Sequence, residues 1–184
     1  MLFNEAKVIL DLCGGTRSWS QPYAEAGYDV QVIDSKSGQD VCLAEMIKPV
    51  YGVLAAPPCT VFASSGARLE RSEADMLQGL SVVDACMRII LVTQPHFWSL
   101  ENPVGTLRRW LGSPRMYFQP NHYGDRYTKR TCLWGRFNIP KLHEVEAVEG
   151  SKMHLNYGGK SERTKTARSI TPPGFARAFF EANP

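Results

Sequence analysis

The strongest constraint on this chain is a repeated pattern of short apolar runs, each stopped by residues that do not continue a strand. Lys7-Val8-Ile9-Leu10-Asp11-Leu12 stops at Gly14-Gly15, and Tyr28-Asp29-Val30-Gln31-Val32-Ile33-Asp34 ends on an acid. Tyr51-Gly52-Val53-Leu54-Ala55-Ala56 is halted by Pro57-Pro58, and Phe97-Trp98-Ser99-Leu100 by Glu101-Asn102-Pro103. Runs of this length and composition, bounded this way, read as buried strands. Helical composition separates them: residues 19–26 with Gly27 at a C-cap position, a short stretch at 43–48, and Glu73 to Thr93 behind Ser72 as N-cap. In the long helix Met76, Leu80, Val83, Met87, Ile90 and Leu91 recur every three or four residues, the spacing of one buried face. Strand, turn and helix in repetition predict an α/β domain with a mostly parallel sheet flanked by helices. Ligands of such sheets bind where the strands end, and all four endings carry chemically suggestive residues.

A chain of 184 residues suits a single domain, residues 1–184, and its 43% hydrophobic content supplies a core. Disorder and a disulfide-built miniprotein are thereby excluded. No run approaches the ~20 apolar residues of a membrane span; the best, 82–92, is broken by Asp84 and Arg88. Cys13, Cys42, Cys59, Cys86 and Cys132 are odd in number, widely spaced and without a C-x-x-C pair, and the four histidines are dispersed. Neither a disulfide framework nor a metal site is expected, and a reducing cytoplasm is. The N-terminal residues lack the order of an export signal.

The net charge of +3 conceals an asymmetry: residues 1–100 hold 7 basic and 11 acidic side chains, residues 101–184 hold 14 and 7. A polyanionic partner would meet the second half; a solvated basic surface is the alternative. Beyond residue 112, strands are expected at Met116-Tyr117-Phe118 and Thr131-Cys132-Leu133-Trp134. Residues 150–169, with Lys152, Lys160, Arg163, Lys165 and Arg168, read as a mobile basic loop. A short helix over residues 173–182 offers Phe175, Phe179 and Phe180 for docking.

A glycine turn after the first strand and an acid ending the second form a nucleotide-cofactor arrangement. The turn lacks the G-x-G-x-x-G spacing that cradles a pyrophosphate, so a cofactor such as S-adenosyl-L-methionine is the more natural ligand; an ordinary strand-to-helix turn is the other reading. Trp19, beside that turn, is a candidate lining residue, whereas Trp98, Trp110 and Trp134 read as packing residues. Arg108-Arg109 could contact phosphates or form a solvated helix face. Pro57-Pro58-Cys59 places a thiol just past a buried strand, where a cysteine can serve as a nucleophile. The other four cysteines read as inert thiols.

Taken together, these segments resemble the DNA cytosine-5 methyltransferases, most closely the short, phage-type members. The resemblance rests on Asp11-Leu12-x-Gly14-Gly15, on Ala55-Ala56-Pro57-Pro58-Cys59-Thr60-Val61-Phe62-Ala63-Ser64 and on Glu101-Asn102. It continues through Thr128-Lys129-Arg130-Thr131-Cys132-Leu133-Trp134-Gly135 and Ser169-Ile170-Thr171-Pro172-Pro173, in the family's order. It implies a Rossmann-like S-adenosylmethionine-dependent methyltransferase fold, DNA as partner, and a bacterial or phage-infected cell. Cys59 would add to C6 of an extruded cytosine, Glu101 would engage N3 and the exocyclic amine, and Arg130 would contact the base carbonyl. Pro58, Ser64, Asn102 and Lys129 would line the substrate side, with Asn102 holding the two loops in register. The cofactor would lie over Asp11, Leu12, Cys13, Gly14 and Gly15, with Arg17 or Ser18 at its carboxylate, Asp34 on the ribose, Asp40 at the adenine and Pro57 beside the sulfonium.

The sequence departs from the family at Cys13, where phenylalanine is usual, at Arg17, and at Thr128, where an arginine is common. Only roughly thirty residues separate Arg136 from Arg168, where the family carries its target-recognition region. Recognition is then relaxed, supplied by a second protein, or compressed into residues 150–169, where Lys160, Arg163 and Lys165 are the candidate DNA contacts. Two rival readings stay open: the same chemistry on a free nucleotide or another nucleic acid, and a non-catalytic cofactor- or DNA-binding module.

Overall fold

A computed structural model describes residues 7–45, 49–64, 71–152, 156–157 and 161–184. The expected strands form: β1 (Val8–Leu12), β2 (Asp29–Ile33), β3 (Gly52–Ala55), β4 (Phe97–Pro103), β5 (Met116–Phe118) and β6 (Thr131–Arg136). They make one sheet in the order β2-β1-β3-β4-β6-β5. β2, β1, β3 and β4 are mutually parallel, and β6 runs antiparallel between β4 and β5. The carboxyl ends of β1 to β4 therefore share an edge with the start of β6. Chain direction across the sheet reverses between β1 and β3, which opens a crevice at that edge.

Alternation along the strands builds two cores. Leu10, Leu12, Val53, Ala55 and Leu100 pack with Val83, Cys86, Ile89 and Ile90 of α2 (Glu73–Thr93). On the other face Ile9, Leu54, Phe97 and Leu133 meet Tyr23 of α1 (Gln21–Glu25) and Phe175 and Phe179 of α5 (Pro173–Ala182). Phe175 and Phe179 are fully buried, a contribution of roughly 1.5–3 kcal/mol each. The chain end is also pinned by hydrogen bonds, with Tyr23 Oη donating to Asn183 O at 2.9 Å and Asn138 N to Asn183 Oδ1 at 2.7 Å.

Ser72 caps α2 as expected, accepting from Asp75 N while Asp75 accepts in return from Ser72 N. Among the described residues α2 is the one helix long and apolar enough to cross a membrane by length and composition. Its buried side lies against the sheet, and Asp84 and Arg88 are exposed.

Four expectations need correction. The helix anticipated at 43–48 is instead a 3₁₀ turn at Val41–Leu43, and residues 46–48 lie outside the described residues. Asp40 Oδ1 accepts from Cys42 N and starts that turn, while the extended backbone of Ala44 ends it. The fourth strand continues through Glu101-Asn102 to Pro103, because β6 supplies a pairing partner for those residues. The presumed loop at 150–169 contains a helix, α4 (Glu162–Ser169), capped by Ser161 Oγ accepting from Thr164 N and braced by a Lys165–Glu162 ion pair at 2.6 Å. A wholly polar helix has no apolar periodicity to betray it. Trp19 belongs to the second core, edge-on to Phe179 at 5.4 Å, rather than to a ligand pocket.

Candidate active site

Three loops at the carboxyl edge bring the candidate residues together. In the first, after β1, Asp11 is 1% exposed. Its Oδ2 accepts a short hydrogen bond from Ser20 Oγ, and its Oδ1 has no partner. Burial first, and the neighbouring Asp34 second, push its carboxyl up to about 6, against the Ser20 bond and the Arg17 charge. A Cβ on Gly14 would lie 2.0 Å from Asp11 Oδ1, so no side chain fits beside that carboxylate. Cys13 and Arg17 both adopt left-handed φ, 58° and 56°. Non-glycine residues pay for that conformation, about 1–2 kcal/mol each.

Asp34, at the end of β2, accepts from Lys36 N through Oδ1 at 2.8 Å. Its Oδ2 faces Gly15, where an added Cβ would lie 3.1 Å away. Two carboxylates thus bracket a glycine turn, one of them with a buried, unpartnered oxygen. That donor set fits a ligand bearing a cationic amine and free hydroxyls. Leu12 is fully buried in the first core and contributes backbone here. Asp40 is exposed and occupied as a turn cap. Ser18 Oγ is held by Thr16 Oγ1 and accepts from Thr171 N at 2.8 Å, which ties the glycine turn to the chain entering α5. Arg17 is exposed and lines an open cavity of about 470 Å³ between α1 and β2.

The second loop, residues 56–64, follows β3. Pro57 is buried, Pro58 exposed and Cys59 half-buried. Cys59 O accepts from both Phe62 N and Ala63 N, so the chain turns tightly just past the thiol. Ser64 Oγ donates to Val104 O at 2.9 Å, and Thr106 N donates to Phe62 O at 2.8 Å. This lacing brings Gly105 so close that a Cβ there would sit 1.9 Å from Phe62 O. Asn102, fully buried, donates from Nδ2 to Pro57 O at 3.0 Å. The loop that carries Cys59 is therefore fastened to β4 and the segment after it by side chain and backbone alike.

The third loop precedes β6. Lys129 N donates to Gln119 Oε1 and its Nζ to Arg168 O at 2.9 Å, which ties β6 to the last turn of α4. Burial raises the Glu101 carboxyl above its ordinary range, and Lys129 opposes this. Burial and then Glu101 raise the Cys59 thiol, while Lys129 and Arg168 pull it down. Cys59, Glu101, Lys129 and Arg168 form one electrostatic group. Within it, burial favours the protonated form of both the thiol and the carboxyl, and the two cations oppose that.

Arg130 lies elsewhere. Its guanidinium sits 5.0 Å over the Tyr117 ring, and the β5–β6 register pairs Tyr117 with Cys132, which in turn pairs with Asn102. Strand alternation separates that face from Glu101, so Lys129 is the cation whose charge acts on Glu101. Arg168, seen in the sequence only as part of a basic stretch, arrives through the Lys129 bond; no periodicity signalled it. Arg163 and Lys165 are exposed on α4, Lys165 within its ion pair, and Lys160 lies outside the described residues. Among the described residues no cluster of three metal-ligating side chains occurs.

No protein-family model and no curated protein matches this chain. Solved structures do, among them one provisionally described as a DNA modification methyltransferase encoded within a prophage of E. coli. It shares 16% identity at a TM-score of 0.53, over 85% of this chain. The match covers 56% of that chain, so this protein spans little more than half its neighbour's length. At that identity the likeness establishes architecture alone: this chain shares with that protein a mixed α/β fold built on a six-stranded sheet flanked by helices.

Proposed function

We propose that the chain transfers a methyl group from S-adenosyl-L-methionine to C5 of cytosine in DNA, through a covalent adduct between Cys59 and C6. The observation that carries this reading is the fastening of Pro57-Pro58-Cys59 to Glu101-Asn102 by the Asn102–Pro57 hydrogen bond, with Lys129 beside the carboxyl. The cofactor would be held by Asp11 and Asp34 across the Gly14-Gly15 turn, next to Leu12, Cys13 and Pro57. Arg17, Ser18 and Asp40 are weaker candidates, since two are engaged locally and Arg17 faces outward. When bound, S-adenosyl-L-methionine supplies an electrophilic methyl on its sulfonium.

The residues of the chain prepare the base. Cys59 Sγ passes its proton to water and forms a bond to C6, and the C5–C6 electron pair shifts toward C5 and the ring. Glu101, whose carboxyl is raised by burial, donates a proton at N3 and keeps the adduct from carrying unmatched negative charge. A neutral Glu101 also removes the charge that disfavours the Cys59 thiolate, so one protonation state serves both steps. Lys129 and Arg168 stabilise the thiolate as it forms. Once C5 carries the methyl, its proton passes to water, the C5–C6 double bond re-forms as the S–C6 bond breaks, and the N3 proton returns to Glu101. Pro58, Ser64 and Asn102 shape the substrate side, and Arg163, Lys165 and Lys160 are proposed phosphate contacts.

The direct test is incubation with DNA containing 5-fluorocytosine in the presence of cofactor. A stable protein–DNA adduct that disappears in Cys59→Ser is expected; its absence, or its persistence in that variant, rules the mechanism out. Methylation of dCMP without DNA would move the substrate to a free nucleotide.

A further inference from the structure

The arginines of the described residues differ in what holds them. Arg71 donates to Ala63 O, Arg88 to the carbonyls around Cys42, and Arg136 to Pro95 O. Arg115 lies over the Phe137 ring and Arg177 pairs with Glu25. Arg108 and Arg109, exposed on α3 (Arg108–Leu111), enter none of the ion pairs among the described residues. Arg130 lies over the Tyr117 ring, and Trp134 Nε1 donates to Gly112 O at 3.0 Å, which ties the end of α3 to β6; Arg130 and Arg108 both act on the Cys132 thiol of that strand.

Two half-exposed aromatic rings accompany these arginines, Trp110 at 47% next to Arg109 on α3 and Tyr117 at 40% beneath Arg130. Trp110 packs edge-on against Phe62, 6.0 Å between centroids, in the loop that carries Cys59. The patch is therefore continuous with the nucleophile loop. Residues 102–143 hold eight basic side chains and one acid, Asp125, so the excess positive charge of the second half belongs to the segment that carries Arg108, Arg109 and Arg130. Residues 144–169 hold five basic and four acidic side chains, and Lys152–Glu149 and Lys165–Glu162 pair at 2.6 Å.

We propose that Arg108, Arg109 and Arg130, with Trp110 and Tyr117 among them, form the surface that grips the DNA strand flanking the target cytosine. This surface rests on the reading of the chain as a DNA methyltransferase and gives that reading its footprint. Guanidinium groups bind phosphate oxygens in pairs. Half-exposed aromatic rings accept unpaired bases by stacking, independent of sequence. Such a surface orients a strand without a separate recognition region.

The test measures binding of labelled single-stranded and duplex oligonucleotides against salt for wild type and Arg108→Gln/Arg109→Gln. Each lost phosphate contact flattens the log–log salt slope by about 0.9 on duplex and about 0.7 on single strands. For two contacts on duplex, the gap between wild type and variant narrows roughly tenfold from about 50 to about 200 mM salt. The slope that changes identifies which form of DNA the surface holds. Arg108→Lys/Arg109→Lys keeps the charge and is expected to restore the slope, which separates contact loss from misfolding. Lys7→Gln/Arg136→Gln removes equal charge at the opposite edge of the sheet and is expected to leave the slope unchanged. A wild-type slope in the glutamine variant, or an equal loss in the opposite-edge variant, overturns the proposal. If wild type shows this footprint yet forms no 5-fluorocytosine adduct, the surface stands and the cytosine-5 chemistry falls. If the adduct forms and the glutamine variant binds as wild type, only the surface falls.

Discussion

Replacing Asp11 by asparagine exposes the conflict between stability and ligand binding at the glycine turn. The Asp11 carboxyl is pushed from 3.8 up to about 6 in the folded chain, chiefly by burial. Because the folded value exceeds the unfolded one, the native state holds the proton more tightly. Stability contributed by that proton is complete below about pH 4, falls as pH rises through about 6, and is gone above it. A shift of about two units corresponds to about 3 kcal/mol, a large share of the roughly 5–15 kcal/mol that holds a domain together. Asparagine keeps an acceptor for Ser20 Oγ and carries no charge, although its amide inherits the unpartnered position of Oδ1. We expect Asp11→Asn to stabilise the ligand-free protein by about 2 kcal/mol at pH 7.5, with a gain of about 4–8 °C in Tm. At pH 4.5, where wild type is itself protonated, the gain is expected to vanish. Urea or thermal unfolding at both pH values reads this out. A destabilised variant at pH 7.5, or an equal gain at both, refutes the burial argument. Calorimetry with S-adenosyl-L-methionine should show wild-type affinity rising with pH through about 6 and the variant weak and flat.

Other expectations rest on equally local contacts. Gly14→Ala drives a methyl into the Asp11 carboxylate, and chemical denaturation should show a loss of about 2 kcal/mol or more that shrinks when Asp11→Ala is added. Asn102→Ala leaves Pro57 O unpaired, so a loss of about 1–3 kcal/mol in unfolding free energy is expected, with slower adduct formation. Cys59 should react slowly with iodoacetamide near neutral pH and faster above about pH 9, and Glu101→Gln should move that rise to lower pH, since the carboxylate holds the thiol up. An unchanged profile in Glu101→Gln would separate the two residues. Arg17→Gly relieves a left-handed backbone and should raise stability by about 1 kcal/mol.

Much of the site was legible in the chain because it sits at strand ends. Four apolar runs are local signals, and each stop residue immediately follows its run, so β1 to β3 and the start of β4 could be read from the chain, whereas β4 ran on to Pro103 once β6 paired with it. The polar segments were not legible in this way. Helix α4 carries no buried residue, and its formation depends on Ser161 as cap and on one ion pair. The turn at Val41–Leu43 depends on the single acceptor Asp40, a competition between side-chain capping and helix propensity that composition does not decide. Trp19 stood beside the glycine turn in sequence, yet its ring had Phe175 and Phe179 from the far end of the chain to meet.

By itself the sequence determined the α/β class, the strand-end positions of Asp11, Asp34, Cys59 and Glu101, and the basic character of the second half, because periodicity, stop residues and charge are properties of contiguous segments. Only the tertiary structure decided which cations meet the thiol. The antiparallel insertion of β6 beside β4 assigns Lys129 to Glu101 and turns Arg130 to the other face, toward Tyr117. The Lys129–Arg168 bond then brings in a residue about forty positions away. Register and side-chain alternation settle such pairings, and they exist only once two distant strands lie side by side.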